Sequence, residues 1–560
     1  MFNHESHNAA QSAKAQPQPG RVKTISKSID SLLEPVEIFE GLSRRLELKN
    51  SMLLESSEIE SREGVKSILM LKAAIRIECN ERTVKLEALT HNGANALQHI
   101  EEQLRSNSSE LQIENTLSSK ADLSALLVTY SHTQSFLDED ARLKEHSPID
   151  ILRLIKSAFE AETDNEYSIF LCGLFAFDFI ASFENLPQVD KGQNTCPDYV
   201  FYLAENILII DHQRNIKRLF SNHFSGDNEK NTYYELARNF ETVEQQLADL
   251  NQPSAPKSDD SNKHTQKNSQ SNSSIKTDID DNEYQQIVMQ LKQNIVKGDV
   301  FQVVPSRTFS IECLSPLASY RELKSANPSP YLFYMQDQDF ALFGASPESA
   351  LKYTSEDNKV LLYPIAGTRP RGKKQDGEID LDLDARIEAE LKLDEKELSE
   401  HMMLVDLARN DVARISQPGT THVPRLLAVD RYSQVMHLVS CVQGQLREDL
   451  DALHAYRACM NMGTLTGAPK IKASQLIRHV EKKRRGSYGG AVGYLNGRGD
   501  MDTCIVIRSA FYQNGVAQVQ AGAGIVYDSD PLMEAQETEN KAKAVLSAVK
   551  VANQKVMENQ

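Results

Sequence analysis

The clearest pattern of apolar positions in the chain lies between Glu397 and Asp411. This segment contains no Gly or Pro, and apolar side chains recur at a helical spacing, at Leu398, Met402, Leu404, Val405 and Ala408. The spacing predicts an amphipathic helix with one buried stripe. Glu397 and Glu400 lie three residues apart, so both carboxylates project from one face of that helix, one turn from each other.

A second pair of carboxylates with the same spacing lies near the C-terminus, at Glu534 and Glu537. If the two predicted helices face each other, four carboxylates converge and leave room for a hard cation with oxygen ligands. Mg²⁺ suits such a site because it keeps several waters and takes only one or two protein carboxylates directly. One Glu pair alone is most often a solvated helix face, but two pairs in such specific surroundings favour a metal site.

Other apolar runs predict strands and a buried core. Residues 51–54 form a short apolar run that ends in small polar residues, and residues 303–311 contain two strand-like pieces. Residues 199–204 and 207–210 are apolar runs separated by Glu and Asn, a pattern that predicts a hairpin of core strands. Residues 170–183 have the apolar density of a buried strand or helix.

Composition divides the chain into four parts. Residues 1–20 contain no Leu, Ile or Val, which is typical of a disordered tail. Residues 251–283 are rich in Ser, Asn, Asp, Gln and Lys and cannot bury enough surface to fold, so they are predicted to be a low-complexity linker or insertion. Between and after them lie an N-terminal region, 21–250, and a motif-dense region, 284–560.

Length and charge limit the function classes. A chain of 560 residues is too long for one ordinary core. The formal net charge of −17 argues against nucleic acid or an anionic membrane as a partner, so an anionic substrate would need a local cluster of cations. No apolar run reaches the ~20 residues of a membrane helix. Seven scattered cysteines without metal-ligand spacing indicate reduced thiols in a cytoplasmic protein.

A series of short motifs follows in order along the second half of the chain. They are NPSPYLF (327–333), GASPE (344–348), PIAGTR (364–369), the 397–411 segment, GTLTGAPK (463–470), DTCIVIRS (502–509), AGAGIV (521–526) and the 534–541 segment. Together they resemble the chorismate-utilising enzymes, and within them the large components of anthranilate synthases. The resemblance is strong over about 284–548 and weaker over about 30–250.

The resemblance implies an α+β fold, a two-sheet β-sandwich flanked by helices, with the active-site cleft in the C-terminal half. It also implies Glu400 and Glu537 as direct Mg²⁺ ligands, with Glu397 and Glu534 acting through water. The implied substrate-binding residues are Gly367, Thr368, Tyr488, Arg508, Gly522, Ala523, Gly524 and Lys541. Arg508 would clamp a carboxylate of chorismate, and the backbone of residues 522–524 would form a small nest for a carboxylate.

Three further residues are implied to be catalytic. Glu348 would protonate the departing 4-hydroxyl of chorismate, a role that needs its pKa raised by a partly dry site. His437 matches a family position linked to the loss of pyruvate, although an isolated histidine in an apolar strand is as a rule a core residue. Thr464 matches a position close to the substrate ring, and its alternative is a strand-end hydroxyl bonded to the backbone.

Two positions distinguish this chain from its relatives. Sister isochorismate and salicylate synthases carry a water-activating lysine where this chain has Gln302, and aminodeoxychorismate synthases carry a nucleophilic lysine where it has Ala366. External ammonia is therefore the expected nucleophile, and anthranilate plus pyruvate the products. No glutaminase motif is present, which implies a separate glutamine amidotransferase subunit, in a heterotetramer of two large and two small subunits. The alternatives are aminodeoxychorismate synthase, which Ala366 argues against, and a catalytically inactive tryptophan-binding regulator.

The resemblance also implies a feedback site for L-tryptophan, the end product of the pathway. Its residues would be Glu55, Ser56, Pro330, Tyr331 and Leu332. Position 332 is often Met in relatives, and the replacement by Leu conserves volume closely.

Overall fold

The computed structural model describes residues 18–56, 66–107, 111–117, 123–131, 138–227, 229–251, 274–432 and 435–558. Most of the predicted tail and of the predicted linker lies outside these ranges, so the proposed domain boundaries stay predictions. Within these ranges, regular structure begins at Gly20 and resumes at Lys276 after the gap at 252–273, where most of the predicted linker lies.

The strands, in chain order, are β1 (Gly20–Ile29), β2 (Ser51–Glu55), β3 (Lys66–Asn80), β4 (Thr83–Ala88), β5 (Gln112–Leu117), β6 (Ser124–Thr129), β7 (Phe159–Ala161), β8 (Leu171–Phe175), β9 (Tyr199–Asp211), β10 (Ile216–Phe224), β11 (Lys276–Thr277), β12 (Gln302–Val303), β13 (Ser306–Glu312), β14 (Tyr331–Gln336), β15 (Ala341–Ser346), β16 (Ser349–Thr354), β17 (Lys359–Leu362), β18 (Ile365–Pro370), β19 (His422–Arg431), β20 (Val435–Gln445), β21 (Gly467–Ala468), β22 (Ala491–Leu495), β23 (Met501–Ile505), β24 (Ser509–Gln513) and β25 (Val516–Gly522).

The helices are α1 (Pro35–Leu46), α2 (His91–Asn107), α3 (Glu139–Lys144), α4 (Asp150–Ser157), α5 (Glu229–Leu250), α6 (Asp281–Val296), α7 (Pro316–Ala326), α8 (Leu381–Leu393), α9 (Glu395–Ile415), α10 (Ala452–Cys459), α11 (Gly463–Thr466), α12 (Lys470–Glu481) and α13 (Pro531–Glu558), with a 3₁₀ turn at Phe177–Ser182. None of the helices in the described ranges is long and apolar enough to cross a membrane.

Both halves of the chain contribute to one sheet system. Twenty-three strands are joined in a single hydrogen-bonded network, and β12 pairs separately with β21. Strand β2 from the N-terminal half pairs with β14, and β8 pairs with β22. The α+β architecture is therefore confirmed, with the refinement that its layers are linked by continuous strand pairing.

An inner core separates two layers of this network. It contains Leu174 of β8, Val200 of β9, Phe333 of β14 and Leu342 of β15, although β8 and β9 do not pair with β14 or β15. Because side chains alternate along a strand, the neighbours of Phe333 on β14 point the other way, into a second cluster that α1, α7 and α13 cover. Each fully buried apolar side chain of this kind contributes ~1.5–3 kcal/mol.

The hairpin predicted over 199–210 is wrong, because β9 runs unbroken through it. The two polar residues that resembled a turn are buried and have partners. Glu205 accepts a hydrogen bond from Thr90 Oγ1 at 2.7 Å and pairs with Lys72 Nζ at 3.0 Å. Asn206 Oδ1 accepts from Ser221 Oγ at 2.6 Å. Because both polar side chains have hydrogen-bond or ion-pair partners on other elements, the strand can continue through them without a solvent-exposed turn.

Candidate active site

The two helices predicted to carry the acidic pairs are both present. Helix α9 begins at Glu395, where the Asp394 side chain accepts hydrogen bonds from the N–H groups of Lys396 and Glu397. This cap fixes the first turn, from which Glu397 and Glu400 project. Glu534 lies in the first turn of α13 and is buried.

The two acidic pairs face each other. Burial raises the pKa of Glu400 to about 7, and repulsion from Glu397, Glu534 and Glu537 adds to this rise, against the opposing charge of Lys396. Burial also raises the pKa of Glu534, with a further rise from Glu537. Like charges affect one another in this way only when they lie close together, so the two pairs share one electrostatic environment, while their role as a metal site stays a prediction.

The four carboxylates do not form a closed ligand set. Within the described ranges, no group of three or more His, Cys, Asp or Glu side chains is positioned to hold a metal ion. Three of the four are instead paired with cations, Glu397 with Arg369, Glu537 with Lys541 Nζ at 2.6 Å and, at a longer 3.9 Å, Glu400 with Lys396 Nζ. The donors still suit Mg²⁺, since they are hard oxygen ligands whose mutual repulsion a divalent cation would relieve.

Arg369 was not singled out from the sequence, although it ends the PIAGTR motif. Its guanidinium donates to Glu397 Oε1 and to Asp394 Oδ2, each at 2.8 Å. It therefore connects β18 to the cap of α9 and holds the first carboxylate of the acidic pair in place. In the sequence, only its position at the end of the PIAGTR motif indicated that Arg369 belongs to the site.

The wall opposite α9 is formed by β18 and β20. Thr368 lies directly across from His437 in the strand register, and its Oγ1 is 2.8 Å from His437 Nδ1. The register shifts at Gly367, whose φ of +81° favours glycine, and a Cβ there would lie 3.2 Å from Glu397 Oε2. Burial and the charge of Arg508 lower the pKa of His437 to about 4, so the ring is neutral at neutral pH.

Glu348 has the environment that an acid catalyst needs. It is buried between β15 and β16, and burial raises its pKa to about 8, while a hydrogen bond from Thr464 and the charges of Arg508 and Lys541 oppose the rise. Thr464 Oγ1 donates to Glu348 Oε1 at 2.9 Å. The hydroxyl therefore binds this carboxyl group, whereas the alternative prediction had it bonded to the backbone.

Arg508 stands at the centre of the site. It influences the pKa values of both Glu348 and His437, and its own pKa is lowered by burial and raised by Tyr488, Glu537 and Glu348. Its guanidinium makes no side-chain hydrogen bond or ion pair with any residue in the described ranges. It is thus a cation available to bind a ligand carboxylate.

The 522–524 segment forms the floor next to Arg508. Lys541 Nζ donates to the Gly522 carbonyl at 2.9 Å, which ties α13 to the end of β25. A Cβ at Gly522 would lie 2.6 Å from the Pro305 carbonyl and 3.1 Å from Tyr488 Oη, so only glycine fits there. At Gly524 a Cβ would lie 3.0 Å from Gln302 Nε2. The backbone can therefore approach a ligand closely.

The composition of the basic run 482–485, at the end of α12, predicts a solvated helix end, and this prediction is wrong for the last residue of the run. Arg485 is only 1% exposed. Its guanidinium donates to Glu481 Oε2 at 2.9 Å and to the Leu465 carbonyl at 2.8 Å. Because Leu465 follows Thr464, Arg485 supports the short helix that presents the Thr464 hydroxyl to Glu348. The i,i+4 spacing of Glu481 and Arg485 was the signal that could have revealed it.

The residues proposed for tryptophan binding lie together at the β2–β14 pair, away from the acidic helices. Glu55, Ser56, Tyr331 and Leu332 line one cavity of about 330 Å³. Leu332 pairs with Glu55 across the two strands, and Glu55 accepts a hydrogen bond from Tyr320 Oη at 3.0 Å. The fifth residue, Pro330, is buried beside the cavity but does not line it.

Comparison with known proteins identifies the family. A sequence model described as chorismate binding enzyme matches residues 78–547. The chain belongs to this family. Anthranilate synthase component 1 of Vibrio parahaemolyticus is 51% identical to it over 535 residues, which cover 95% of this chain and 94% of that protein. The Vibrio cholerae protein of the same name is 54% identical over 522 residues, 93% of this chain and 95% of that one.

The fold of this chorismate-binding enzyme is also found among solved structures. The crystal structure of anthranilate synthase component I from Streptococcus pneumoniae superposes with a TM-score of 0.63 at 29% sequence identity. The match covers 88% of this chain and 94% of that one, so it includes both halves of the sheet system.

Proposed function

We propose that this chorismate-binding enzyme is the large component of an anthranilate synthase, a lyase that converts chorismate and ammonia to anthranilate and pyruvate. The observation that carries the proposal is the arrangement around Arg508. Glu348, whose pKa burial raises to about 8, and His437, whose pKa burial lowers to about 4, both interact electrostatically with this guanidinium, which has no side-chain partner within the described ranges. The names of the most similar relatives support the same activity.

Chorismate binding would use the guanidinium of Arg508 and the backbone of residues 522–524. Arg508 would take one carboxylate bidentately, and the backbone of Gly522 to Gly524 would approach the substrate where side chains are excluded. Glu400 and Glu537 would hold Mg²⁺, with Glu397 and Glu534 acting through water. When bound, the cation would polarise the ring carboxylate.

Proton transfer would be divided between two residues. Glu348 is protonated at neutral pH and would donate its proton to the departing 4-hydroxyl, while Thr464 holds the carboxyl group in position. His437 is neutral and can therefore accept the ring proton as pyruvate leaves. Thr368, at 2.8 Å from Nδ1, would fix the orientation of the imidazole.

The nucleophile would come from outside the chain. Position 302 is a glutamine and position 366 an alanine, so neither offers the amine that would activate water or attack the ring. Ammonia would add at C2 and lose a proton as the 4-hydroxyl departs as water. We assign its supply to a glutamine amidotransferase subunit, component II, in a heterotetramer of two large and two small subunits.

Regulation would use the cavity between β2 and β14. L-Tryptophan would bind there against Ser56, Tyr331 and Leu332 and inhibit the enzyme, which would act in the cytoplasm at the first committed step of tryptophan biosynthesis. The Glu55 carboxylate already binds Tyr320 and Lys324, so it would shape the cavity and leave the amino group of tryptophan to other partners.

The test uses the purified chain alone with chorismate, Mg²⁺ and excess ammonium at mildly alkaline pH. Anthranilate formation, followed by its fluorescence and suppressed by free tryptophan, is the expected result. Formation of isochorismate or of a 4-amino product would show that Gln302 and Ala366 have been misread. No consumption of chorismate, with or without a glutaminase subunit, would favour an inactive tryptophan-binding regulator.

A further inference from the structure

A cavity of about 480 Å³, here called the α1–β2 cavity, lies beside the turn that connects these two elements. It is lined by residues 46–50 of the turn, by residues 71–73 of β3 and by residues of α5. It shares no lining residue with the cavity between β2 and β14. Strand β2 begins at Ser51 next to the α1–β2 cavity and ends at Glu55 in the other, a rise of about 13 Å. The two cavities are therefore separate.

The backbone is irregular on two sides of the α1–β2 cavity. The register between β3 and β9 shifts on both sides of Lys72, which lies across from Asn206. Such an irregularity changes the direction of the side chains, and Leu71, Lys72 and Ala73 all line the cavity. In the turn, Asn50 has a φ of +52°, a left-handed conformation that asparagine tolerates better than most residues. The irregular backbone thus brings polar side chains from two elements to one cavity.

Two buried amide groups supply N–H donors to the cavity. Asn50 is 5% exposed and Asn206 is 1% exposed. The oxygen of each amide accepts a hydrogen bond from the protein, Asn50 Oδ1 from the Gln338 N–H at 3.1 Å and Asn206 Oδ1 from Ser221 Oγ at 2.6 Å. Neither Nδ2 has a hydrogen-bond partner in the described ranges, and neither is enclosed by protein atoms. Because a buried N–H group needs an acceptor, both nitrogens are available to a ligand in the cavity.

Two lysines add positive charge to these donors. Lys72 Nζ lies 3.0 Å from Glu205 Oε1, and this buried carboxylate also accepts hydrogen bonds from two neutral side chains. Glu205 is therefore satisfied within the wall, and Lys72 has N–H donors left for a ligand. Lys49 is exposed and makes no hydrogen bond or ion pair with any residue in the described ranges. Glu47 carries the one carboxylate among the lining residues, and it is exposed to solvent.

Much of the remaining wall is apolar. The apolar lining residues are Leu46, Leu48, Leu71, Ala73, Leu89 and Val243. Ligand sites in proteins typically combine such a wall with a few polar groups that fix the orientation of the ligand. An inorganic anion would leave these apolar side chains in contact with water, and a neutral apolar molecule would leave the amide donors without an acceptor.

We propose that the α1–β2 cavity binds a small carboxylate with an apolar body. The carboxylate accepts hydrogen bonds from Asn50 and Asn206 and is attracted by Lys49 and Lys72, since charge-assisted hydrogen bonds are stronger than neutral ones. The apolar body packs on the leucine side chains. The site is distinct from the acidic cleft and from the cavity between β2 and β14, so it does not depend on the reaction proposed above.

Calorimetry with the full chain tests the proposal, with 2-naphthylacetate as the probe. The neutral amide of this probe, 2-naphthylacetamide, has the same apolar body without the negative charge, and acetate has the charge without the apolar body. We expect one equivalent of 2-naphthylacetate to bind at least about tenfold more tightly than either comparator, a difference of ~1.4 kcal/mol.

Two variants change the donors and leave the buried Asn206 intact. Asn50→Asp keeps the oxygen that accepts from Gln338 and replaces the amide nitrogen by a carboxylate oxygen, which repels the probe. Lys49→Glu reverses the charge of an exposed side chain. The matched controls are Asn215→Asp and Lys191→Glu, at exposed positions that line neither cavity. Asn215 is also left-handed, with a φ of +52°. Thermal melting establishes that each variant is folded.

Asn50→Asp should weaken the binding of 2-naphthylacetate at least about tenfold and Lys49→Glu about threefold, while each control stays within about twofold of the wild type. No binding to the wild type, equal binding of the acid and its amide, or unchanged binding in the folded variants would overturn the proposal. So would displacement of the probe by excess tryptophan, which would place the probe in the cavity between β2 and β14. If Asn50→Asp does not fold, Lys49→Glu and the comparison with the amide decide the outcome.

Discussion

Replacement of Thr464 by valine isolates the contribution of one hydrogen bond to the pKa of the catalytic acid. Valine keeps the shape of threonine but removes the hydroxyl that donates to Glu348 Oε1 at 2.9 Å. This hydrogen bond lowers the pKa of Glu348, which burial has raised to about 8. A hydrogen bond to a charged group is worth about 1.5–3 kcal/mol, which corresponds to about 1–2 pH units. The pKa of Glu348 should therefore rise towards about 9–10.

The assay is the pH dependence of kcat/KM for chorismate at saturating ammonium. The basic limb of the wild-type profile should lie near pH 8 and should move upward by about one unit or more in Thr464→Val. Thr466→Val is the control, because Thr466 lies in the same short helix, is fully buried, and has a hydroxyl with no hydrogen-bond partner among the residues that the structure describes. The ionisation of ammonium is common to all three proteins. A basic limb that stays in place or moves downward in Thr464→Val would refute the assignment of Glu348 as the acid.

Three further results are expected. Glu400→Gln should abolish Mg²⁺-dependent turnover. It should not lower the melting temperature of the metal-free protein, because it removes a charge that repels three other carboxylates. Near-wild-type activity would exclude Glu400 as a ligand. Ser56→Phe should weaken tryptophan binding at least ~10-fold in calorimetry. It should leave the KM for chorismate unchanged, since Ser56 lines the cavity between β2 and β14, away from the acidic helices. Undiminished binding would place tryptophan elsewhere. Glu348 has a raised pKa in the folded state, so its contribution to stability is complete below about pH 4.5 and is lost as the pH rises through about 8. Between pH 5 and 8.5, the denaturant midpoint of Glu348→Gln should therefore fall less than that of the wild type. An equal fall in the two proteins would contradict the burial of the carboxyl group.

The helices that carry the acidic pairs could be predicted because helical periodicity is a local property. Positions three apart on a segment without Gly or Pro can project only from one face. The partners of those carboxylates could not be predicted in the same way. Arg369 reaches Glu397 from a strand on the opposite wall, and no spacing in the sequence encodes that contact.

The two errors have one physical cause. Polar residues at Glu205 and Arg485 suggested a turn and a solvated run, because unpaired polar groups normally face water. In the folded chain each is buried with partners, Glu205 with Thr90 and Lys72, and Arg485 with Glu481 and a backbone carbonyl. Partners from other elements, together with Glu481 one turn before Arg485, thus reversed the local preference in both places.

The most direct test of the central claim is the reaction of chorismate with ¹⁵N-labelled ammonium and Mg²⁺ on the purified chain, with the products analysed by NMR and mass spectrometry. The account predicts one pyruvate for each molecule of anthranilate, with the label in the amino group adjacent to the carboxylate. An unlabelled hydroxylated product, or the label at the ring carbon that carried the 4-hydroxyl, would contradict it.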